Sequence, residues 1–543
     1  MFRDEREGEI LNKILSNFFK AIKEHKKDSL LSFLFVVLLS ILSIIVPILI
    51  KFYLEWIIND DSQLLLIVIG IFGFACLLLI KTFINTFWYL SLDNFGGKYI
   101  TDLSLECQNA LNDTYMSEVE KLSTNVIKHT LYYDILEVFR VVAHHIPSII
   151  GSIIVIILSF TLAFYYNPVV SLLILASLVI GILISFFSRN IISRKASTTN
   201  QNLKQVHEVV NEFSSAIPFI QTSLTIDYYN SKVKKSISSF ISVAKKEDKV
   251  IYLWSGIIQN YSILFSIVLS AFLAYSLDGN ALVNFAFFSV LSNIIMSEGQ
   301  KIELMFHQTV KAKVCFVNID KILNIRKKIG IRKLSDITSI RFENVTFSYG
   351  IETNSFIKNF NLKIEKGDCI RISGLNGSGK SSIIKILLGL YPIKAGNIKI
   401  NDISINELDL KSLYSKTLFV NQDEFLMNDS IIEYLKANCA GVNDETLKVE
   451  LEKMRIEEKI MINYGSNLSV GQRKKILYIK AKLKFALSDL IIFDEVTSGM
   501  DKETQIDFAN FVNEYSMKKD KIIIVIDHNN FGGISFNKEI NID

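Results

Sequence analysis

Six long stretches without a single charge limit what this chain can become: Leu30–Ile50, Leu64–Ile80, Ile146–Tyr166, Val169–Ser188, Ile251–Leu277 and Ala281–Ser297. Each is near or above the roughly 18 apolar residues that a helix needs to cross a bilayer. One such run would fit a buried core helix, but six do not fit a water-soluble protein. Composition agrees, with 50% hydrophobic residues and a mean hydropathy of +0.32. The apolar residues crowd into the first part of the chain, before about residue 300, and a soluble α/β pattern takes over after about residue 340.

Charge sets the orientation. The segment between the fourth and fifth runs carries Arg189, Arg194, Lys195, Lys204, Lys232, Lys234, Lys235, Lys245, Lys246 and Lys249. The N-terminal segment carries Arg3, Arg6, Lys13, Lys20, Lys23, Lys26 and Lys27. The loop at 51–63 is acidic on balance (Glu55, Asp60 and Asp61 against Lys51), and Asn167-Pro168 and Asp278-Gly279-Asn280 are tight turns without positive charge. The positive-inside rule then places both termini and the loops 81–145 and 189–250 in the cytoplasm. Those two loops are too long to be simple connectors, so the helices are expected to run on past the membrane.

Before the first run, Ile10, Leu11, Ile14, Leu15, Phe18, Phe19 and Ile22 share one face of a helix with Lys and Glu opposite. This pattern predicts an interfacial helix along the inner leaflet, with a surface helix packed on another domain as the alternative. His144 and His145 point about 100° apart on a helix, which makes a shared ligand difficult, so they read as boundary histidines, with substrate or metal contact as the alternative. Gln259 and Asn260 sit within the fifth run and face a cavity or another helix. Glu298, Lys301 and Glu303 mark the end of the sixth run. The five cysteines form no C-x-x-C pair, which argues against a disulfide framework or a zinc site. A net charge of +4 gives no reason to expect nucleic acid. No cleavable signal peptide is expected, because a charged segment precedes the first apolar run and no A-x-A-like site follows it.

The later part of the chain carries a phosphate-binding pattern. Gly374-Leu375-Asn376-Gly377-Ser378-Gly379-Lys380-Ser381 fits G-x-x-x-x-G-K-[ST]. The strand-like Cys369–Ser373 precedes it, and a helix over Ser382–Leu388 follows, with Ser382 among the expected nucleotide-binding residues. Backbone N–H groups in such a loop cradle phosphates, Lys380 reaches the β- and γ-phosphates, and Ser381 holds Mg²⁺. Further motifs come in a fixed order. Tyr349 ends a strand and would stack on adenine, or is an ordinary strand-end aromatic. Gln422 follows the apolar strand Leu418–Val420. Leu468-Ser469-Val470-Gly471-Gln472 opens a basic helix. Asp494 and Glu495 end the buried strand that starts at Leu490, with Ser498-Gly499-Met500-Asp501 close behind. His528 ends the strand Ile522–Asp527. Asp494 suits a Mg²⁺ ligand acting through water, Glu495 a general base, and His528 a bridge between Glu495 and the γ-phosphate.

With these motifs in this order, the chain resembles an ATP-binding cassette (ABC) exporter half-transporter. The resemblance implies an α-helical transmembrane bundle of six spans plus an α/β P-loop NTPase nucleotide-binding domain. It places an N-terminal interfacial helix at 1–27, the transmembrane domain at 28–325, a linker at 326–338 and the ATP-binding cassette at 339–543. It implies ATP and Mg²⁺ as cofactors. Ser469 and the Gly471 N–H would meet the γ-phosphate held by a second copy, with Gln472 beside them. Gln422 would sense Mg²⁺ and the nucleotide, and Asp501 would lie at the seam between copies. A homodimer is expected, because Lys380, Asp494, Glu495 and His528 are all present, with a heterodimer as runner-up. Segments near 117–124 and 214–225 are the expected docking helices of the cytoplasmic loops.

Three departures from the family pattern are visible: Val470 where Gly is usual, a short interval from Gln422 to Leu468, and few residues after His528. Val470 predicts reduced rather than absent hydrolysis, the short interval bears on the helical subdomain's contact with the cytoplasmic loops, the short tail trims the usual C-terminal helices, and together they suggest a divergent, specialised member. The implied activity is ATP-driven efflux across a bacterial cytoplasmic membrane, of a peptide such as a bacteriocin or else of a lipid or drug. Importer-like use of the fold is a further option. No leader-cleaving peptidase is expected before Leu30. A nucleotide-gated channel or sensor is the alternative of another class, supported only by Val470 and the short interval.

Overall fold

The computed structural model describes residues 19–542 except 60–62, 123, 277–280, 329, 350–356, 376, 422–423, 440, 463, 498–499 and 528–532. The chain divides into two compact units: residues up to Gln108 with Asn125–Leu323, and Asn109–Thr124 with Asn324 onward.

The first unit is helical. Each apolar run, as far as it is described, falls inside one helix: Lys26–Asn59, Gln63–Asn112, Ile146–Tyr166, Pro168–Ser215, Ile226–Ser276 and Ala281–Lys311, with Leu277 outside the described residues. The 50 residues of Gln63–Asn112 extend about 75 Å, more than twice the ~30 Å of a hydrocarbon core. Pro168–Ser215 (48 residues) and Ile226–Ser276 (51 residues) likewise exceed that thickness, in keeping with the long loops. Among the described residues, Lys26–Ile58, Val68–Asn112 and Val126–Tyr166 are long and apolar enough to cross a bilayer, and a shorter apolar stretch covers Pro168–Ile184.

Local chemistry explains the joints. The Asn167 side chain accepts hydrogen bonds from the amides of Val169 (3.0 Å) and Val170 (3.1 Å), and Pro168 takes the first helical position. This is a helix start that tolerates a missing N–H. Two π-helical turns, Thr130–Asp134 and Arg140–His145, break the segment before the third run. The second turns His145 into the interior, while His144 pairs with Asp93 at 3.0 Å. Glu298 does more than mark a helix end: it accepts from Ser152 Oγ at 2.6 Å and pairs with Lys301 at 2.6 Å. Asn260 is exposed. The side chain of Gln259, the turn Asp278–Asn280, the loop residues Asp60 and Asp61, and Ile10–Phe18 of the expected interfacial helix lie outside the described residues.

The second unit holds two sheets. Strands β1 (Ser339–Phe347), β2 (Ile357–Glu365), β4 (Ala395–Ile400) and β5 (Ile403–Ser404) form an antiparallel sheet in the order β2-β1-β4-β5. Strands β3 (Cys369–Ser373), β6 (Thr417–Val420), β7 (Leu490–Asp494), β8 (Ile522–Ile526) and β9 (Lys538–Asn541) form a parallel sheet in the order β6-β7-β8-β3-β9. β7 and β8 are buried at every position, which explains why both read as unbroken apolar runs. Side chains from the two faces of this sheet enter two cores. Ile492 and Ile524 pack with the antiparallel sheet; Ile491 and Phe493 pack with the helices Ile431–Asn438, Asp444–Lys453 and Val470–Phe485.

Part of the first long loop belongs to this unit. The amide of Met116 donates to Leu390 O at 2.8 Å, and that of Lys328 to Asp113 O at 2.8 Å. Tyr391 OH donates to Glu120, which lies on the short helix Met116–Lys121. The 117–124 segment is therefore seated on the nucleotide-binding unit. The second candidate forms the helix Ile217–Ser223, whose Ile217 and Phe219 are exposed, and belongs to the first unit.

Candidate functional site

A parallel sheet presents the carboxyl ends of its strands along one edge, where open α/β sheets bind ligands. The register puts Ile372 opposite Ile526 and Ile526 opposite Asp494, so β3, β8 and β7 end together. The phosphate loop leaves β3 here. Gly374, Gly377 and Gly379 all have positive φ (152°, 84° and 107°). A Cβ on Gly374 would lie 2.2 Å from the backbone oxygen of Ile542, so glycine is required there. The helix Lys380–Leu387 follows, with its N-terminus at the loop. The Lys380 ammonium is folded back into the loop, donating to the carbonyls of Gly374 (2.9 Å) and Leu375 (2.8 Å). Burial lowers its pKa, against the pull of Glu495 and Asp494, which places all three groups in one electrostatic neighbourhood.

Asp494 is buried to 4% exposure. Burial pushes its carboxyl above the ordinary aspartate range, and the neighbouring Glu495 adds to the effect. A hydrogen bond from Ser381 and the charges of Lys385 and Lys380 act the other way. Ser381 and Asp494 thus meet through a hydrogen bond. A divalent cation suits this arrangement, because a buried carboxylate beside a hydroxyl gains most from a positive partner. Glu495 has φ +50°, and its amide donates to Ile526 O at 3.1 Å.

Tyr349 lies beside the same helix. Its hydroxyl shares a 2.9 Å hydrogen bond with Ser382 Oγ. Its ring packs edge-on against Phe347 (4.9 Å) and Tyr391 (5.2 Å). Through Tyr391 it connects to Glu120, a link across 271 residues. Sequence reading proposed Tyr349 but missed Tyr391, because no local spacing announces a contact of that range.

A second group forms around the helix Val470–Phe485. Ser469 caps it: Ser469 Oγ accepts from the amide of Gln472 (3.1 Å), and the Gln472 side chain accepts from the amide of Ser469 (3.0 Å). Gln472 thus closes a capping box. Val470 stands at the first helical position and is 65% exposed. Gly471 has its Cβ direction open, with only Ser469 Oγ at 4.0 Å. Asp501 caps the next helix through Thr504 (2.8 Å) and pairs with Lys475 at 3.4 Å. Hydrogen bonds from Thr504, and Lys475 behind them, hold its pKa down to about 2. Asn376, Gln422 and His528 lie outside the described residues, as do Ser498 and Gly499.

The chain matches the family described as ABC transporter over residues 357–498 and the ABC transporter transmembrane region over residues 29–298. The chain belongs to the ABC transporters. It carries the transmembrane region and the ATP-binding domain on one polypeptide, and membership places it among ATPases coupled to transport. Three relatives resemble this ABC transporter over very different spans. An ATP-dependent lipid A-core flippase 2 of Colwellia psychrerythraea is 29% identical over 211 residues, which is 36% of this chain and 35% of the relative. The multidrug resistance-like ATP-binding protein MdlB of Buchnera aphidicola is 24% identical over 549 residues, covering 95% of this chain and 90% of the relative. The alpha-hemolysin translocation ATP-binding protein HlyB of Escherichia coli O157:H7 is 25% identical over 391 residues, 68% of this chain and 54% of its own length. Among solved structures, a bacterial Atm1-family ABC exporter with ATP bound shares the fold with a TM-score of 0.84 at 13% identity, covering 95% of this chain and 93% of that one. The helical membrane unit and the α/β unit therefore adopt the ABC exporter fold.

Proposed function

We propose that two copies of this chain form an ATP-driven exporter of the bacterial cytoplasmic membrane, its ATP-binding units in the cytoplasm. The supporting observation is a site split in two. Lys380, Ser381, Asp494 and Glu495 converge at one sheet edge, while Ser469 and Val470 stand exposed at the N-terminus of a separate 16-residue helix. A helix N-terminus attracts anions, and a second copy would bring its Ser469 and Gly471 to the γ-phosphate held here. A heterodimer with a sister chain would complete the site equally well.

Mg²⁺, held by Ser381 and Asp494 with Gln422 near it, would neutralise the charge that develops on the transferred phosphoryl group. Glu495 would take the proton from the attacking water, His528 would bridge Glu495 and the γ-phosphate, and Tyr349 would bound the adenine. Closure of the two units around ATP favours one of two arrangements of the membrane helices, and hydrolysis releases it.

The substrate is proposed to be a peptide of bacteriocin type, and the translocation role printed for HlyB is consistent with a polypeptide cargo. A lipid or drug cargo has comparable support from the flippase and MdlB names. The test uses protein in lipid nanodiscs. Lys380→Ala should weaken ATP binding, and Glu495→Gln should retain ATP without turnover. Wild-type turnover in Glu495→Gln would remove Glu495 as the base. Absence of turnover in the wild type would favour a nucleotide-gated channel or sensor. Uptake into inverted vesicles of a panel of peptides, lipids and dyes separates the cargo classes.

A further inference from the structure

Two residues beyond Gln422, Glu424 enters the interior and meets Lys480 of the helix Val470–Phe485, in a contact spanning 56 residues. Both side chains are largely buried, with 15% exposure for Glu424 and 7% for Lys480. Tyr434 OH donates to the same Glu424 Oε1 at 2.8 Å. Three segments therefore close on one carboxylate oxygen: the stretch that follows Gln422, the helix Ile431–Asn438, and the helix that Ser469 caps. A second tie lies nearer the N-terminus of that helix. Asn428 Oδ1 accepts from the amide of Tyr464 at 2.6 Å, Phe425 packs on the Tyr464 ring at 4.8 Å, and Arg473 donates to Tyr464 O. The stretch after Gln422 is thus fastened to the capped helix at two levels.

We infer that the Glu424–Lys480 pair is a positioning link that couples the two nucleotide sites of a dimer. This rests on the proposed function, in which Gln422 reads the ATP held by its own chain and Ser469 the ATP held by the other. Lys480 lies eleven residues from Ser469, about three turns or ~16 Å along one rigid helix. A shift in the stretch carrying Gln422 moves Glu424, Glu424 carries Lys480 with it, and the helix delivers the displacement at Ser469. A buried ion pair suits such a link: neither partner can leave without stranding a charge in the interior, so the two segments move together.

The test is the ATP dependence of hydrolysis by the full chain in nanodiscs, beside direct nucleotide-analogue binding and thermal unfolding. Wild-type protein should hydrolyse ATP cooperatively. Lys480→Met should abolish that cooperativity and lower kcat about tenfold, within the range of site–site coupling, while analogue affinity stays within about twofold. Tyr434→Phe, which keeps the ring and removes one donor, should fall between the two. The double variant Glu424→Gln/Lys480→Met removes both charges and should recover thermal stability but not cooperativity. Unchanged cooperativity in Lys480→Met and Tyr434→Phe would overturn the link, whatever their melting temperatures, since a purely structural role moves Tm alone. Where Lys480→Met does not fold, Tyr434→Phe decides. Wild-type protein that stays a protomer with ATP bound would instead refute the dimer, and the link with it, before any variant is compared.

Discussion

Ser469 and Gln472 satisfy each other: the hydroxyl of one takes the amide of the other at 3.1 Å, and the returning side chain takes the Ser469 amide at 3.0 Å. Gln472 is therefore first a structural residue of the helix start. This role has a measurable consequence. Gln472→Glu preserves the box and should retain turnover within about threefold, whereas Gln472→Ala should cost about 1 kcal/mol of helix stability and reduce turnover further. Equal turnover in the two variants, measured beside circular dichroism melts, would show that the cap does not matter for activity.

Asp494 is expected to behave as a buried charge that the fold tolerates for the sake of its chemistry. Burial raises its folded-state pKa above the unfolded value. The stability linked to its protonation is thus fully present below the unfolded aspartate pKa and is lost as pH rises through the raised folded pKa. Asp494→Asn keeps an acceptor for Ser381 and removes the charge. It should unfold at higher temperature than the wild type near pH 7 by a few degrees, with the gap closing as pH falls towards 4. Hydrolysis should be lost. A lower melting temperature for Asp494→Asn at pH 7 would contradict the sign of this effect.

Gly374→Ala tests the closure of the phosphate loop by the last strand. The added methyl group would collide with Ile542 O at 2.2 Å, and that residue is itself tied to Ser373 by a 2.9 Å hydrogen bond. Either the strand or the loop must shift. Nucleotide affinity should fall at least tenfold, about 1.4 kcal/mol, in a titration with a fluorescent ATP analogue. Affinity within twofold of wild type would mean that β9 yields freely.

Tyr391→Phe removes the hydroxyl that reaches Glu120 and leaves the ring packing in place. A hydrogen bond to a charged acceptor contributes about 1.5–3 kcal/mol, so the Met116–Lys121 helix should lose protection. Hydrogen exchange at the Met116 amide, which donates to Leu390 O, should accelerate about tenfold or more. Glu120→Gln should reproduce the effect, and the double variant should add little. Additive effects would show that the two groups do not act on each other.

Much of this protein was legible before its structure. Six apolar runs announced six long helices, because membrane-length hydrophobicity is a property of contiguous residues. The phosphate loop, the Asp494-Glu495 pair and the Ser469–Gln472 segment were equally local, each a short motif at the end of one strand or the start of one helix. The Asn167-Pro168 turn was readable for the same reason. Contacts that leave no trace in spacing were not readable. Tyr391 and Glu120 stand 271 residues apart, Glu424 and Lys480 stand 56 apart, and Ile542 comes to Gly374 only because β9 adds to the far side of β3.

The sequence by itself determined that this chain enters a membrane and carries a phosphate-binding unit, since both follow from the order and polarity of neighbouring residues. Only the tertiary structure decided which loop segment is seated on that unit, which carboxylate anchors the capped helix, and where the phosphate loop has no room for a side chain. Those outcomes depend on sheet order and on burial. A strand's neighbours and a charge's desolvation arise from residues far apart in the chain, and they exist only once it has folded.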